Sequence, residues 1–280
     1  MAVTYLFAPA NNERKLQKAL GSGSDAVIVD LEDSVPDTEK EAARQQAARL
    51  LREHGPLPGP QLWVRVNGAS SSQFSLDVEA LPWDRAYGAV LPKAEDPDAV
   101  RLLSGRGVRR LLLLIESVAG LGRLPDLVAA APAGLRLALG TWDLSVDLGL
   151  FAVDDPDESE LIWQLRGHLV LESRRLGLAP PVDGIYARFD DDEGLQSVCR
   201  RALRMGFAGK LLIHPRQIPV ARAVFGPDPE AVDFAREVVS AYEQAAREGR
   251  GAVQVRGRAV DRPMVERAKA LLARWDRADG

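Results

Sequence analysis

The sequence predicts an α/β protein, a (β/α)8 TIM barrel carrying a C-terminal helical and hairpin extension, and three observations predict it. Short apolar runs recur eight times, each followed by turn residues and then by a stretch with helical spacing, the pattern of repeated βα units. Most of these runs are apolar throughout, as expected of parallel strands covered by helices on one face and filling a barrel on the other. The length of 280 residues accommodates a barrel of about 250 residues with an appendage.

In chain order the strand signals are Tyr5–Pro9, Ala26–Leu31, Gln61–Val66, Tyr87–Leu91, Arg110–Ile115, Arg136–Leu139, Val182–Ala187 and Lys210–Ile213. After the second, Thr38-Glu39-Lys40-Glu41 reads as a capping box. The Thr38 hydroxyl and Glu41 carboxylate would satisfy N–H groups that a helix start leaves unpaired, so a helix is expected from there through Leu51. The third unit has room only for a brief helix over Phe74–Leu81. Glu158–Leu176 is a long amphipathic stretch with Gly177 as its stop, because glycine enters left-handed geometry without steric cost. Gly206-Phe207-Ala208-Gly209-Lys210 lacks the spacing and ending of a phosphate loop and reads as a turn into the last strand. The barrel is expected over 1–226. Beyond it, a helix from Ala231 to Glu248, a glycine-flanked strand pair Ala252–Val260 and a helix from Pro263 to Ala278 form an extension, 227–280, that eight strands do not need. It either covers a neighbouring subunit's active site or serves solubility alone.

Hydrophobic residues at 46% and charged residues at 27% are those of an ordinary soluble globular protein. A net charge of −4 gives no general attraction to phosphate backbones or anionic lipids, which argues against nucleic acid or membrane as a partner. The N-terminal apolar run is short and has no basic flank, so neither a signal peptide nor a membrane anchor is expected, and a cytoplasmic location is. The single cysteine, Cys199, sits in a helical pattern and is expected as a half-buried helix residue, not as a nucleophile.

Chemistry in such barrels sits at the carboxyl ends of the strands, so the polar residues that end each apolar run are the candidates. Glu116 and Asp143 are 27 residues apart, one βα repeat, which brings two carboxylates onto adjacent strands. Two hard oxygen ligands, with the other octahedral positions left to water and substrate, suit Mg²⁺ and not zinc. Arg65 lies between apolar Val64 and Val66 and is expected at the rim, where its N–H fork would pair with a substrate carboxylate or form an ion pair with Asp30 or Glu32. Asp30, Glu32 and Asp33 are expected to hold Arg65 and Lys93 in place or to bind metal-coordinated water. Lys93, among so many acids, is expected to remain a protonated ion-pair partner and not a Schiff-base nucleophile. Gly140, Thr141 and Trp142 could offer backbone N–H groups to an anionic oxygen. His214 reads equally as a base and as a cap.

Taken in order, Leu6-Phe7-Ala8-Pro9, Asp30-Leu31-Glu32-Asp33, Lys40 with Arg44, Arg65-Val66-Asn67, Leu91-Pro92-Lys93, Ile115-Glu116-Ser117, Gly140-Thr141-Trp142-Asp143-Leu144-Ser145, Gly209-Lys210 to Ile213-His214-Pro215, and Gly257 to Asp261-Arg262-Pro263 make a pattern that runs nearly end to end. It closely resembles the citrate lyase beta subunit family, within the wider superfamily of HpcH/HpaI aldolases and malyl-CoA lyase-like enzymes. The resemblance implies a Mg²⁺-dependent carbon–carbon lyase that cleaves or forms a citryl-, malyl- or citramalyl-thioester. Its partners would be oxaloacetate or a related 2-oxo acid and an acyl-thioester of coenzyme A or acyl carrier protein. It further implies Glu116 and Asp143 as metal ligands, Arg65 on the oxo-acid carboxylate, Asp261 as acid/base across a subunit boundary, and a homo-oligomer, a trimer by analogy. The chain departs from the family pattern at its start, with Val3-Thr4 in place of an arginine-serine pair and Ala8-Pro9-Ala10 in place of Val-Pro-Gly. Two other readings stay open at this point: a class II pyruvate aldolase that needs no thioester, and a catalytically inactive oxo-acid-binding subunit.

Overall fold

The computed structural model describes residues 2–55 and 58–276, which form two compact units, one over 2–225 and a second from Gly226 on. In the first, β1 (Thr4–Pro9), β2 (Ala26–Asp30), β3 (Gln61–Arg65), β4 (Gly88–Leu91), β5 (Arg110–Ile115), β6 (Gly134–Leu139) and β7 (Lys210–Leu212) make one sheet, all parallel, in the order β6-β5-β4-β3-β2-β1-β7. Parallel neighbours require crossovers. These are α1 (Glu13–Leu20), α2 (Lys40–His54), α3 (Gln73–Ala80), α4 (Pro97–Gly105) and the pair α5 (Val118–Gly122) and α6 (Leu124–Ala130); after β6 come α7 (Thr141–Asp147), α8 (Glu160–Arg175), α9 (Asp192–Met205) and, past β7, α10 (Gln217–Phe225).

Strand periodicity sorts the core. Tyr5, Ile28, Trp63, Val90, Leu112, Leu114, Ala138, Val182 and Leu211 form one buried cluster on the inner face of the sheet. The alternate residues Val27, Val29, Val64, Leu111, Leu113 and Leu139 are also buried, which is why the strands read as unbroken apolar runs.

The expected strand at Val182–Ala187 does not form as a strand: Val182 makes a single parallel bridge to Ala138 and Asp183 one to Lys210. Pro180 and Pro181 lack the N–H groups to extend the ladder, and at Gly184 the chain runs so close to β6 that a Cβ would stand 2.6 Å from the Leu139 carbonyl oxygen. Side chains reinforce this short stave. Asp183 accepts from Arg166 Nε (2.8 Å) and Lys210 Nζ (2.5 Å), all three without exposure, and Arg166 also pairs with Asp157 (2.5 Å).

The expected capping box is also corrected. Asp37–Glu39 is a 3-10 turn, Glu39 precedes α2, and no side chain caps that helix. Pro36, ahead of the expected cap Thr38, caps the turn and puts Thr38 inside it, and the Lys40 ammonium is drawn back to the Leu31 and Glu32 carbonyls. α8 ends as expected, with Gly177 at φ 72° and the Leu178 N–H returning to the Ser173 carbonyl.

The second unit holds α11 (Pro229–Arg247), the antiparallel pair β8 (Val253–Val255) and β9 (Arg258–Val260), and α12 (Arg262–Asp276). Arg256 and Gly257, both at positive φ (46° and 78°), turn the hairpin in the primed geometry that matches strand twist. Ala235, Val238, Val255, Val260, Val265 and Ala268 form its core. No helix of the described residues is long and apolar enough to cross a membrane.

Candidate active site

The inner-face parity that buries Ile28, Trp63 and Leu114 sends the residue two places on in each strand direction to the same face at the carboxyl end of the sheet. Those residues are Asp30, Arg65 and Glu116. Register completes the arrangement: Asp30 is the direct partner of Arg65 across β2 and β3, and Leu114 pairs with Ala138, which carries Glu116 alongside Gly140. The chemistry expected from the sequence is therefore brought to one mouth by strand geometry.

Arg65 is gripped from one side by Asp30, with Nε on Oδ1 and Nη2 on Oδ2, both at 2.7 Å. Its Nη1 lies 2.9 Å from Glu32 Oε2, an ion contact without hydrogen-bond geometry, and 3.4 Å from Asp33, while the guanidinium stacks 4.8 Å from the Phe7 ring. The side-on fork is thus spent on Asp30 and one Nη1 N–H goes to Asp33, which leaves about two of the five guanidinium N–H groups for a further acceptor. Burial disfavours the Asp30 charge, but the Arg65 guanidinium outweighs it and holds the carboxyl below the usual carboxylate range. Of the two roles expected of the acidic turn, the ion pairs are the one on view: Glu32 also accepts from Lys93 Nζ at 2.7 Å, which, against the effect of burial, raises the Lys93 ammonium above its ordinary value. Lys93 is a protonated ion-pair partner.

Glu116 is only 6% exposed, and its Oε2 accepts the Lys93 backbone N–H at 2.7 Å. Lys93 adopts φ 46°, left-handed geometry that a residue with a side chain rarely takes, and the turn it makes goes with that N–H facing Glu116. Burial, then the negative charges of Asp143 and Glu32, push the Glu116 carboxyl up to about 8. Asp143, in the first turn of α7 and half exposed, has its Oδ1 3.9 Å from Lys93 Nζ. Five carboxylates (Asp30, Glu32, Asp33, Glu116, Asp143) thus meet two cations, Arg65 and Lys93, and the excess of acidic groups shows at Glu116, whose carboxyl keeps its proton up to about 8. Among the described residues no three His, Cys, Asp or Glu side chains make a metal cage by themselves. Two hard carboxylate donors with room for water or substrate oxygens fit Mg²⁺, which is commonly bound that way.

Gly140 is corrected in its role. Its N–H is bonded to the Ile115 carbonyl (2.9 Å) and is not free for an anion; what the position supplies is space, since a Cβ there would lie 2.3 Å from Glu116 Cγ. Thr141 is buried and Trp142 exposed at the start of α7, whose first intrahelical bond is made by Leu144, so their N–H groups have no acceptor within the helix. Asp261 belongs to the second unit, where it is exposed and accepts the Met264 N–H at 3.3 Å. His214 acts as a cap: Nδ1 accepts the Arg216 N–H at 3.1 Å. Cys199 is fully buried, deeper than expected, and burial pushes its thiol up to about 12. A cavity of about 420 Å³, lined by residues such as Trp83, Tyr87, Arg109 and Arg110, opens at the other, amino-terminal end of β3–β5 and includes none of the candidate residues. The charge cluster at the carboxyl end marks the site because it holds the chemistry. Parity could have revealed Gly140's part in it, since Glu116 and residue 140 share a face; Ser34, whose Oγ donates to Asp30 at 2.5 Å, left no signal in the sequence.

Residues 4–215 match the HpcH/HpaI aldolase/citrate lyase family. The chain belongs to that family. Among its curated relatives is a (3S)-malyl-CoA thioesterase of Cereibacter sphaeroides, 36% identical over 274 residues that cover 97% of this chain and 93% of the relative. The citrate lyase subunit beta of Leuconostoc mesenteroides subsp. cremoris is 29% identical over 283 residues, covering 96% and 91%. Two solved structures from Mycobacterium tuberculosis are similar within the same family. CitE in complex with magnesium, acetoacetate and coenzyme A is 30% identical, with a TM-score of 0.77, over 98% of this chain and 97% of that one. A citrate lyase beta subunit complexed with oxaloacetate and magnesium is 28% identical, with a TM-score of 0.68, over 81% and 97%.

Proposed function

We propose that this chain is a Mg²⁺-dependent carbon–carbon lyase that cleaves or forms a citryl-, malyl- or citramalyl-thioester, with oxaloacetate or a related 2-oxo acid and an acyl-thioester of coenzyme A or acyl carrier protein on the other side. The observation that carries the reading is the meeting of the Glu116 and Asp143 carboxyl groups with Arg65 at one mouth, in a chain whose relatives include a citrate lyase beta subunit solved with oxaloacetate and magnesium.

Glu116 and Asp143 would hold the ion, which when bound polarises the oxo or hydroxyl oxygen of the substrate as a Lewis acid. Arg65, fixed by Asp30 and Glu32, offers its outer N–H groups to the oxo-acid carboxylate. Thr141 and Trp142 offer first-turn N–H groups, while Glu32, Asp33 and Lys93 orient the groups in contact with substrate. In the cleavage direction water at the mouth of the site takes the hydroxyl proton as the carbon–carbon bond breaks, the hydroxyl carbon becomes the oxo carbon, and the electron pair of the broken bond passes to the thioester's α-carbon. Asp261 of a second copy then returns a proton there, a role worth roughly 10²–10⁴-fold in rate. The same reading takes the single bridges at Val182 and Asp183 as the eighth stave of a closed barrel, the second unit as the cover of a neighbouring site, and the protein as a cytoplasmic homo-oligomer, probed first as a trimer.

A second reading, hydrolysis of the malyl-thioester, is favoured by the 36% identity to a malyl-CoA thioesterase. One assay separates them: citryl-, malyl- and citramalyl-coenzyme A with Mg²⁺ or EDTA, following both free oxo acid and free thiol. Oxo acid formed only with Mg²⁺ is the expected result; free thiol without oxo acid supports hydrolysis, and neither product overturns both. Cleavage of free hydroxy-oxo acids, with no thioester, would turn the reading to a pyruvate aldolase.

A further inference from the structure

Lys40 and Arg44, one helical turn apart on α2, are both 7% exposed, although the helix surface offers water to long cationic side chains. Arg44 has a carboxylate partner: its Nε donates to Asp77 Oδ1 (2.8 Å), and Asp77 Oδ2 receives both the backbone and side-chain N–H groups of Asn67 (2.8 and 2.6 Å). This fastens the chain two residues past Arg65. Lys40 has none. Its ammonium donates to two carbonyls, Leu31 (2.9 Å) and Glu32 (2.7 Å), at the exit of β2.

A buried ammonium bonded only to carbonyls is a costly way to stabilise a turn, so its value should lie in what the turn carries. From inside, Asp30 already ties the same segment, accepting from the backbone N–H groups of Glu32 (2.9 Å) and Ser34 (3.3 Å). Lys40 grips it from the opposite side, through the carbonyl of the very residue whose carboxylate lies 2.7 Å from Lys93 Nζ and 2.9 Å from Arg65 Nη1. We infer that Lys40 is a positioning residue: by clamping the Leu31 and Glu32 carbonyls it sets the direction of the Glu32 carboxylate, and through it the pose of Arg65 and Lys93 toward a 2-oxo acid. The inference rests on the proposed function for its ligand, not for its geometry.

The test uses the full-length protein and two readouts. Oxaloacetate affinity in Mg²⁺, measured by calorimetry for wild type, Lys40→Met, Glu32→Gln and the double variant, is expected to fall roughly tenfold or more in Lys40→Met, the range typical of lost outer contacts. The double variant is expected to bind no more weakly than Glu32→Gln alone, because Lys40 acts through Glu32. Amide exchange in EDTA is expected to quicken at Glu32, Ser34 and Val35 in Lys40→Met. In Arg222→Met, which breaks an ion pair with Asp25 at the amino end, those three amides are expected to stay protected. If Lys40→Met does not fold, Lys40→Gln carries the same comparison. Wild-type affinity in the Lys40 variant, or independent effects of the two substitutions, overturns the inference. If wild type itself binds neither oxaloacetate nor the glyoxylate and pyruvate that malyl- and citramalyl-thioesters would release, the proposed function falls, while the exchange comparison still decides Lys40, with unchanged protection ruling it out.

Discussion

Glu116 lies against the bare backbone of Gly140, where an added Cβ would stand 2.3 Å from its Cγ and 2.5 Å from its Oε1. The contact follows from register, because β5 and β6 bring the two residues abreast on the inner face. Gly140→Ala should therefore turn the Glu116 carboxylate out of its place, a displacement that costs on the order of 10²-fold in turnover where geometry governs the reaction. Circular dichroism should show the fold retained. Near-wild-type turnover in that variant would mean that Glu116 is not held where the reaction needs it.

A pH effect follows from the same carboxyl. In the metal-free protein Glu116 is pushed up to about 8 from an unfolded value of 4.5, so between these pH values the folded chain holds a proton that the unfolded chain has lost. The contribution to stability is fully present below 4.5 and is lost as pH rises through about 8. Thermal melts in EDTA should show Glu116→Gln losing less stability than wild type across that window. Because Mg²⁺ binding must displace this proton, the stabilisation by Mg²⁺ should grow with pH up to about 8 and then level off. A Mg²⁺ effect independent of pH would separate Glu116 from the metal.

Why so much of this was legible in the sequence, and some not, is a matter of range. Strand parity and repeat spacing are local and periodic, so Asp30, Arg65, Lys93 and Glu116 could be located at strand ends from the sequence, whereas Asp143, expected on the next strand, lies beyond the end of β6 in the first turn of α7. The missed capping box depended on a tertiary contact, the Lys40 ammonium reaching back eight and nine residues to two carbonyls, which overrides a local cap. The stave at Val182 was harder for a similar reason: β-rich composition announces a strand, but adjacent prolines and the close pass at Gly184 decide how much of a ladder it makes. Gly140 was noticed for its N–H and matters for its missing side chain: parity puts it on the face of Glu116, and the pairing of β5 with β6 sets how close the two lie.

Lys93 combines two demands that a substitution can separate. Its left-handed backbone, φ 46°, goes with an N–H that reaches Glu116, and its ammonium bonds Glu32. Left-handed geometry costs a residue with a Cβ about 1–2 kcal/mol, which glycine avoids. Lys93→Gly should keep the amide in place and lose only the ammonium, whereas Lys93→Val, whose branched Cβ opposes this geometry, should also release Glu116. Mn²⁺ affinity followed by electron paramagnetic resonance should therefore fall further in the valine variant than in the glycine variant. Equal affinities would leave the backbone without a part in holding Glu116.

The buried trio Arg166, Asp183 and Lys210 should be more sensitive to losing one member than to losing a matched pair. Asp183 is fully buried, and although burial disfavours its charge, Arg166 and Lys210 hold its carboxyl below 3.8; its stabilising share is present above that value and lost as pH falls through the lowered one. Asp183→Asn leaves two buried cations facing a neutral amide, a loss of about 3–5 kcal/mol by analogy with other broken buried pairs. Arg166 keeps Asp157, so the stranded charge is the Lys210 ammonium, and Asp183→Asn combined with Lys210→Met removes it and should recover part of the loss. The seam this bears on is the single backbone bridge that joins Asp183 to Lys210 of β7. Urea unfolding of the two variants checks it: a double variant less stable than Asp183→Asn would mean that Lys210 stabilises the seam without its carboxylate, through packing of its stem against the strand.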